Sequence, residues 1–170
     1  MLRDTSPEVV APYQGSLADG LNSDTDAPPP QDNRIVIPSI SLDEPIIEGS
    51  SINLIKDGGT WHRPQTVIPT EQGNSVIVGH RYYGNNVSTF YHLDKVLIDE
   101  IFAVYWEGEE LLYQVTDKKI VPATAVEIEG PTAERQLTLY TCHPLWSAEE
   151  RLVITAKPIE ATFKQGEERG

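Results

Sequence analysis

The sequence predicts an all-β chain of about eight short strands, closed into a barrel or stacked as a sandwich, with a few short helical pieces. Three observations carry this. From Arg34 to about residue 160, Val, Ile, Tyr and Thr gather in runs that are mostly four to seven residues long. The breaks between runs hold Pro38, Pro45, Pro64, Pro69, Pro122 and Pro131, where a missing N–H does least harm to a ladder. The pieces that could be helical are too short to stand without tertiary packing. Closure is favoured over a sandwich because it removes exposed strand edges.

Residues 1–33 come first, with six acids, one Arg and five prolines that end in Pro28-Pro29-Pro30. Nothing there repeats at 2.0 or 3.6 residues, so this stretch reads as a disordered, partly extended arm or stalk. The texture changes at Arg34. Strands are expected over 34–37, 39–42, 75–79, 100–106, 111–116, 119–121, 136–142 and 151–156. Glu107-Gly108-Glu109 reads as a hairpin turn between two of them. The helical candidates are 50–56, 88–96 and a turn near 123–126. No internal repeat is visible, so 34–160 is expected to be one domain, with 161–170 a flexible tail.

Composition narrows the function. The chain has 170 residues, with 13 Lys plus Arg against 26 Asp plus Glu, a net charge of −13. That length supports one domain with a real core. A surface this acidic repels phosphate backbones and anionic headgroups, so neither nucleic acid nor a membrane held by a basic patch is expected as a partner. One cysteine excludes an internal disulfide and any multi-cysteine metal site. The longest apolar run, Ile101–Trp106, is far short of the roughly 18–20 residues that cross a bilayer, and the N-terminus has no apolar signal core. The chain reads as soluble.

The lone cysteine ends a strand, in QLTLYTCHPLWSAEERLVITAKPI. Alternation puts Leu137, Leu139 and Thr141 on one face and Thr138, Tyr140 and Cys142 on the other. The leucine face is the natural core face, which turns Cys142 outward. In the next strand Leu152 and Ile154 face inward, so Arg151 faces outward too. The eight-residue connection 143–150 returns Arg151 to the same end of the sheet as Cys142. A neighbouring guanidinium favours thiolate over thiol, and its planar fork can hold a peptide carbonyl or an oxyanion. The plain alternative is that a single cysteine is a small buried hydrophobe.

A free thiol with a pKa of about 8.5 is only a few per cent thiolate at neutral pH, so a nucleophilic cysteine needs a histidine. His143 adjoins Cys142, but adjacent side chains on a strand diverge. His62 is expected in a loop, and His92 among Tyr91 and Leu93, where packing is the simpler role. His80 closes the apolar strand SVIVGH just as Cys142 closes its own. Two reactive side chains at strand ends on one rim is an arrangement that a barrel can deliver.

These residues resemble those of a known family. TLYTC (138–142) with Arg151 downstream is similar to the sortase TLxTC signature and its arginine, and GNSVIVGHRYYG (73–84) to the family's Gly-His-Arg motif. IPSISLDEPIIEG (37–49), GGTWHRPQTVIPTEQGN (58–74) and STFYHLDKV (88–96) agree as well, so the resemblance spans nearly all of 34–158 in family order. TCHPLWSAEER (141–151) resembles class E most, with class D next.

The resemblance implies a closed eight-stranded barrel that works as a cysteine transpeptidase of the bacterial surface. Carried over by position, Cys142 is the nucleophile, His80 the acid and base, and Arg151 the oxyanion or substrate arginine. Thr141, Tyr82, Tyr83 and Trp146 are expected to contact substrate. The implied partners are surface proteins with a C-terminal sorting signal, cut between Thr and Gly of an LPxTG- or LAxTG-type sequence, and an acceptor amine from a peptidoglycan precursor or a pilin. No metal or organic cofactor is implied. Family members are normally membrane-anchored, and an anchor is read as absent from this chain. Three rivals stand beside this reading. A papain-like protease has its Cys before its His, the reverse of the order here. A metal site from Cys142, His143 and another His lacks familiar spacing. A catalytically idle barrel serving as a surface adhesion module predicts a thiol of ordinary reactivity.

Overall fold

Eight strands close into a barrel. The computed structural model describes residues 29–144 and 147–159. Most of the expected arm (1–28), the whole expected tail (161–170) and Trp146 lie outside those residues. β1 (Arg34–Ile37) pairs antiparallel with both β2 (Leu42–Ile47) and β7 (Ile101–Trp106), which seals the ring. β3 (Thr60–His62) runs parallel to β2, and β4 (Asn74–Val78) antiparallel to β3. β5 (Tyr82–Tyr83) and β6 (Asn86–Val87) form a separate two-stranded ribbon. β8 (Glu109–Pro122), β9 (Gln136–His143) and β10 (Glu150–Pro158) complete the barrel.

The alternation read from the sequence sets the inside. Leu137 and Leu139 of β9 and Leu152, Ile154 and Ala156 of β10 all enter one buried cluster with Ile35, Ile77 and Phe102. β9 is also covered on its outer face. There Tyr140 joins a second cluster built on Ile55, Trp61, Val76 and Val78, so Thr138 is as buried as its leucine neighbours. Covering both faces of the strand that carries the cysteine fixes its register, because a one-residue slip would exchange the two clusters.

Several elements differ from expectation, each for a local reason. Of the expected strand 39–42, only Leu42 is strand. Pro38–Ile40 form a 3₁₀ turn, Ser41 is left-handed at φ 54°, and β2 starts only at Leu42. β2 then runs through Pro45, which faces Arg34 of β1 just before β3 joins at Ile46, so no ladder on that side needs its N–H. β3 holds three residues and carries His62, which is therefore strand and not loop. Its ring is buried, with Nδ1 2.9 Å from Glu48 Oε1 and Nε2 2.9 Å from the Val67 carbonyl. The runs 111–116 and 119–121 are one continuous strand, β8. Its charged stretch at Asp117, Lys118 and Lys119 has left β7 and pairs only with β10, which leaves those side chains access to water.

The expected hairpin is present. Glu107 and Gly108 both take positive φ, 50° and 85°, as a two-residue turn between twisted strands requires. Asn33 ties this turn down: its side chain accepts from Glu107 N–H, and its carbonyl accepts from Ile46 N–H, both at 2.8 Å. The helical candidates shrink to 3₁₀ turns at Ile52–Ile55, Leu93–Lys95 and Val126–Glu129. Among the described residues no helix is long and apolar enough to cross a membrane.

Candidate active site

β9 is the middle of three strands, with β4 parallel on one side and β10 antiparallel on the other. Val78 of β4 stands opposite Tyr140 of β9. Beyond that pair the two chains advance together. Gly79 N–H donates to the Tyr140 carbonyl at 3.3 Å, and the Thr141 hydroxyl donates to the Gly79 carbonyl at 2.7 Å. His80 and Cys142 each follow two residues after the last register pair, on strands spaced about 4.8 Å apart. On the other flank Arg151 is paired directly with Cys142.

The direction of the carbonyls sharpens this picture. Tyr140 turns its carbonyl toward β4, and Cys142, two residues on, turns its own the same way. Cys142 and Arg151 are therefore a non-hydrogen-bonded pair, the narrow kind in which opposed side chains lie closest. Arg151 Nη1 is 3.9 Å from Cys142 Sγ and also donates to the carbonyls of Ala148 (3.0 Å) and Glu150 (3.1 Å). Those two bonds hold one corner of the fork, while Nε and Nη2 make no hydrogen bond among the described residues.

Cys142 is half-buried and opens into a groove of about 390 Å³ lined by Arg81, Tyr82, Gly84, Asn85, Ser147 and Ala148. His80 directly precedes the lining residue Arg81, and Arg151 is the cross-strand partner of Cys142. His80 is half-buried, with its ring tilted against Tyr83 at 5.2 Å between centroids. Burial holds its imidazole below the ordinary value of 6.5, so the neutral form is favoured at neutral pH. No hydrogen bond joins the ring to Cys142 Sγ among the described residues. A thiol, an imidazole and a guanidinium thus share one rim, which is the equipment for acyl transfer through a thioester.

The other expected contacts divide. Tyr82 lines the groove. Tyr83 instead faces a smaller cavity of about 210 Å³ with Lys56, Asp57 and Ser88, and covers His80. Thr141 is buried with its hydroxyl committed to Gly79, so it braces β9 against the end of β4 and presents no free group to a ligand. His92 is exposed, with its ring edge-on to Tyr91 at 4.8 Å between centroids, and His143 ends β9. Among the described residues no three His, Cys, Asp or Glu side chains gather to hold a metal.

Two features escape sequence reasoning. The β5–β6 ribbon, which walls the groove, was signalled only by Gly84-Asn85 between Tyr and Val, a turn pair with Gly84 at φ 64°. Arg81 is 3% exposed although it is an arginine after a strand end, and its Nη1 donates to the Cys142 carbonyl at 2.9 Å.

Gly79 has no room for a side chain. A Cβ there would stand 2.7 Å from the buried Phe90 ring. Gly79→Ala is expected to lose about 1–3 kcal/mol of stability by overpacking and to push His80 off the rim. A urea titration alongside a turnover assay checks both, with turnover falling further than the folded fraction accounts for.

The Sortase domain family profile matches residues 35–159, nearly the whole barrel. No curated protein matches the chain. Among solved structures, sortase C1 of Streptococcus agalactiae in complex with MTSET is 28% identical, over 76% of this chain and 68% of that one, with a TM-score of 0.68. Sortase C2 of pilus island 1 from group B Streptococcus is 30% identical over 76% and 75%, at 0.68. A lid mutant of sortase A from Corynebacterium diphtheriae is 25% identical over 89% and 83%, at 0.69. With the family profile spanning the barrel and the same architecture recurring in these structures, the chain belongs to the sortase family.

Proposed function

We propose that the chain is a cysteine transpeptidase of the bacterial cell surface. It cleaves an LPxTG- or LAxTG-type sorting signal between Thr and Gly and passes the protein to an amine. The observation that carries this reading is the register that seats Cys142 between the continuation of β4, bearing His80, and Arg151 of β10, with Sγ 3.9 Å from Nη1 and open to the groove. The subclass reading, class E before class D, is supported by the string TCHPLWSAEER.

Each step uses groups on this rim. The Cys142 thiolate adds to the Thr carbonyl carbon, and the C–O π electrons move onto oxygen. Arg151 stabilises that oxyanion. Collapse breaks the C–N bond, and His80, as imidazolium, gives its proton to the leaving glycine amine. The acceptor amine then attacks the thioester and loses its proton to the now neutral His80, and the thiolate departs. One amide is broken and one made, so no nucleotide is consumed. The acceptor belongs to a peptidoglycan precursor or a pilin.

The test incubates the protein with fluorogenic LPxTG and LAxTG peptides and an amine, then seeks an acyl adduct on Cys142 by mass spectrometry. Adduct and amine-dependent product are expected together. Neither appearing with any peptide of a sorting-signal library would leave an idle, ligand-binding barrel. In the same assay Arg151→Ala is expected to slow thioester formation by roughly 10²–10³. Arg151→Lys is expected to recover only part, because an ammonium keeps the charge and loses the fork.

A further inference from the structure

We propose that Arg81 is a positioning residue for the nucleophile, clamping the backbone of Cys142 so that the thiol faces the groove; this rests on the transpeptidase reading above. Its guanidinium is nearly fully buried, and each of its nitrogens has a different partner. Nε donates to the Tyr91 carbonyl at 2.9 Å, Nη1 to the Cys142 carbonyl at 2.9 Å, and Nη2 lies 3.2 Å from Asp94 Oδ1. A charge taken out of water is tolerated only when paired and hydrogen-bonded, and both conditions are met here on one side chain.

The site of the clamp matters more than its strength. β4 supplies its last register pair at Val78–Tyr140, so from Cys142 onward only β10 pairs with β9. The Cys142 carbonyl still points toward the β4 side, and Arg81 Nη1 replaces the missing ladder donor there. The other end of the clamp is anchored in the core. Tyr91 and Asp94 sit in a segment whose Phe90, Leu93 and Val96 are fully buried, and Lys118 Nζ donates to the carbonyls of both Asp94 and Val96. The residue after the imidazole thereby holds the residue that carries the sulfur. A catalytic group displaced by about 1 Å can cost 10²-fold in rate, which sets the scale of what such a clamp protects.

The experiment compares wild type, Arg81→Gln, Arg81→Lys and Asp94→Asn, scaled to folded protein by near-ultraviolet circular dichroism. It reads single-turnover thioester formation with a sorting peptide, the KM for that peptide, and alkylation of Cys142 by iodoacetamide. For Arg81→Gln the acylation rate is expected to fall about 10- to 100-fold with KM changed less than about threefold. Arg81→Lys is expected to regain part of the rate, since one ammonium beside Asp94 reaches one carbonyl. Wild-type acylation in Arg81→Gln, or a loss carried entirely by KM, overturns the clamp. If Arg81→Gln does not fold, Asp94→Asn decides: it keeps the carbonyl bond but removes the charge of its anchor, and an unchanged acylation rate overturns the proposal. If the wild type alkylates but acylates with no peptide, the transpeptidase reading fails by itself. The clamp is then judged on alkylation alone, which is expected to slow at least about threefold in Arg81→Gln and overturns it if unchanged.

Discussion

Cys142→Ala is expected to abolish amine-dependent transfer and the acyl adduct together, a loss on the order of 10⁴–10⁶ in rate, because Cys142 is the chain's one thiol and the Ser147 hydroxyl that shares the groove ionises far less readily. Cys142 is half-buried, and among the described residues its thiol makes one polar contact, the 3.9 Å approach of Arg151. Little packing is therefore lost, and the thermal midpoint is expected to hold while turnover disappears. Cys142→Ser separates nucleophile from spacer. A hydroxyl keeps the shape but ionises far less readily than a thiol beside an imidazole, so it too is expected to be inactive. The measurement is peptide release with and without added amine, with intact-mass analysis of each variant. Transfer persisting in the alanine variant would move the chemistry to another residue and leave the three-strand rim without its purpose.

What could be read from the sequence follows what is local. β9 was legible because Leu137 and Leu139 alternate with Thr138, Tyr140 and Cys142, and the structure puts the leucines in the barrel core. Arg151 was legible because Leu152 and Ile154 fix the parity of β10 and a short connection limits where it can return. The direct pairing with Cys142 is the consequence. β3 was not legible. Three residues carry no period, and the strand exists only because β2 and β4 flank it. The groove lining was half legible. Tyr82 and Tyr83 are neighbours on a ribbon and face opposite ways, so only one can line the groove, and nothing within the dipeptide says which. Thr141 shares the leucine parity, and that parity already placed it on the core side. Arg81 lay furthest from view, since its meaning depends on a carbonyl 61 residues away. A sequence displays periodicity and parity, whereas a long-range polar contact appears only once the register is set.

His80→Ala is expected to slow both halves of the reaction by roughly 10²–10⁴, because the leaving amine then lacks a proton donor and the incoming amine a base. Alkylation of Cys142 by iodoacetamide should slow at neutral pH and recover once the pH exceeds the thiol's own pKa, whereas transfer should not recover, which separates the acid–base role from thiol activation. The environment of His80 adds a pH signature. Burial lowers the imidazole below 6.5, the reverse of what a carboxylate partner would do. As pH falls through that ordinary value the unfolded chain takes up a proton before the folded one does. The contribution of His80 to stability is thus complete above about 6.5 and is lost progressively as pH descends toward the depressed value. Catalysis follows the same window. Neutral His80 stays able to deprotonate the acceptor at a pH where a solvent-exposed histidine is already half protonated, while the cation, once formed, is the stronger acid toward the leaving amine. A ring-proton titration by NMR should place the His80 midpoint below 6.5. The acid limb of thioester aminolysis, measured with an acceptor amine of low pKa, should follow it. A midpoint above 6.5, or an aminolysis rate that ignores the loss of the ring, would show that the proton moves through some other group on this rim.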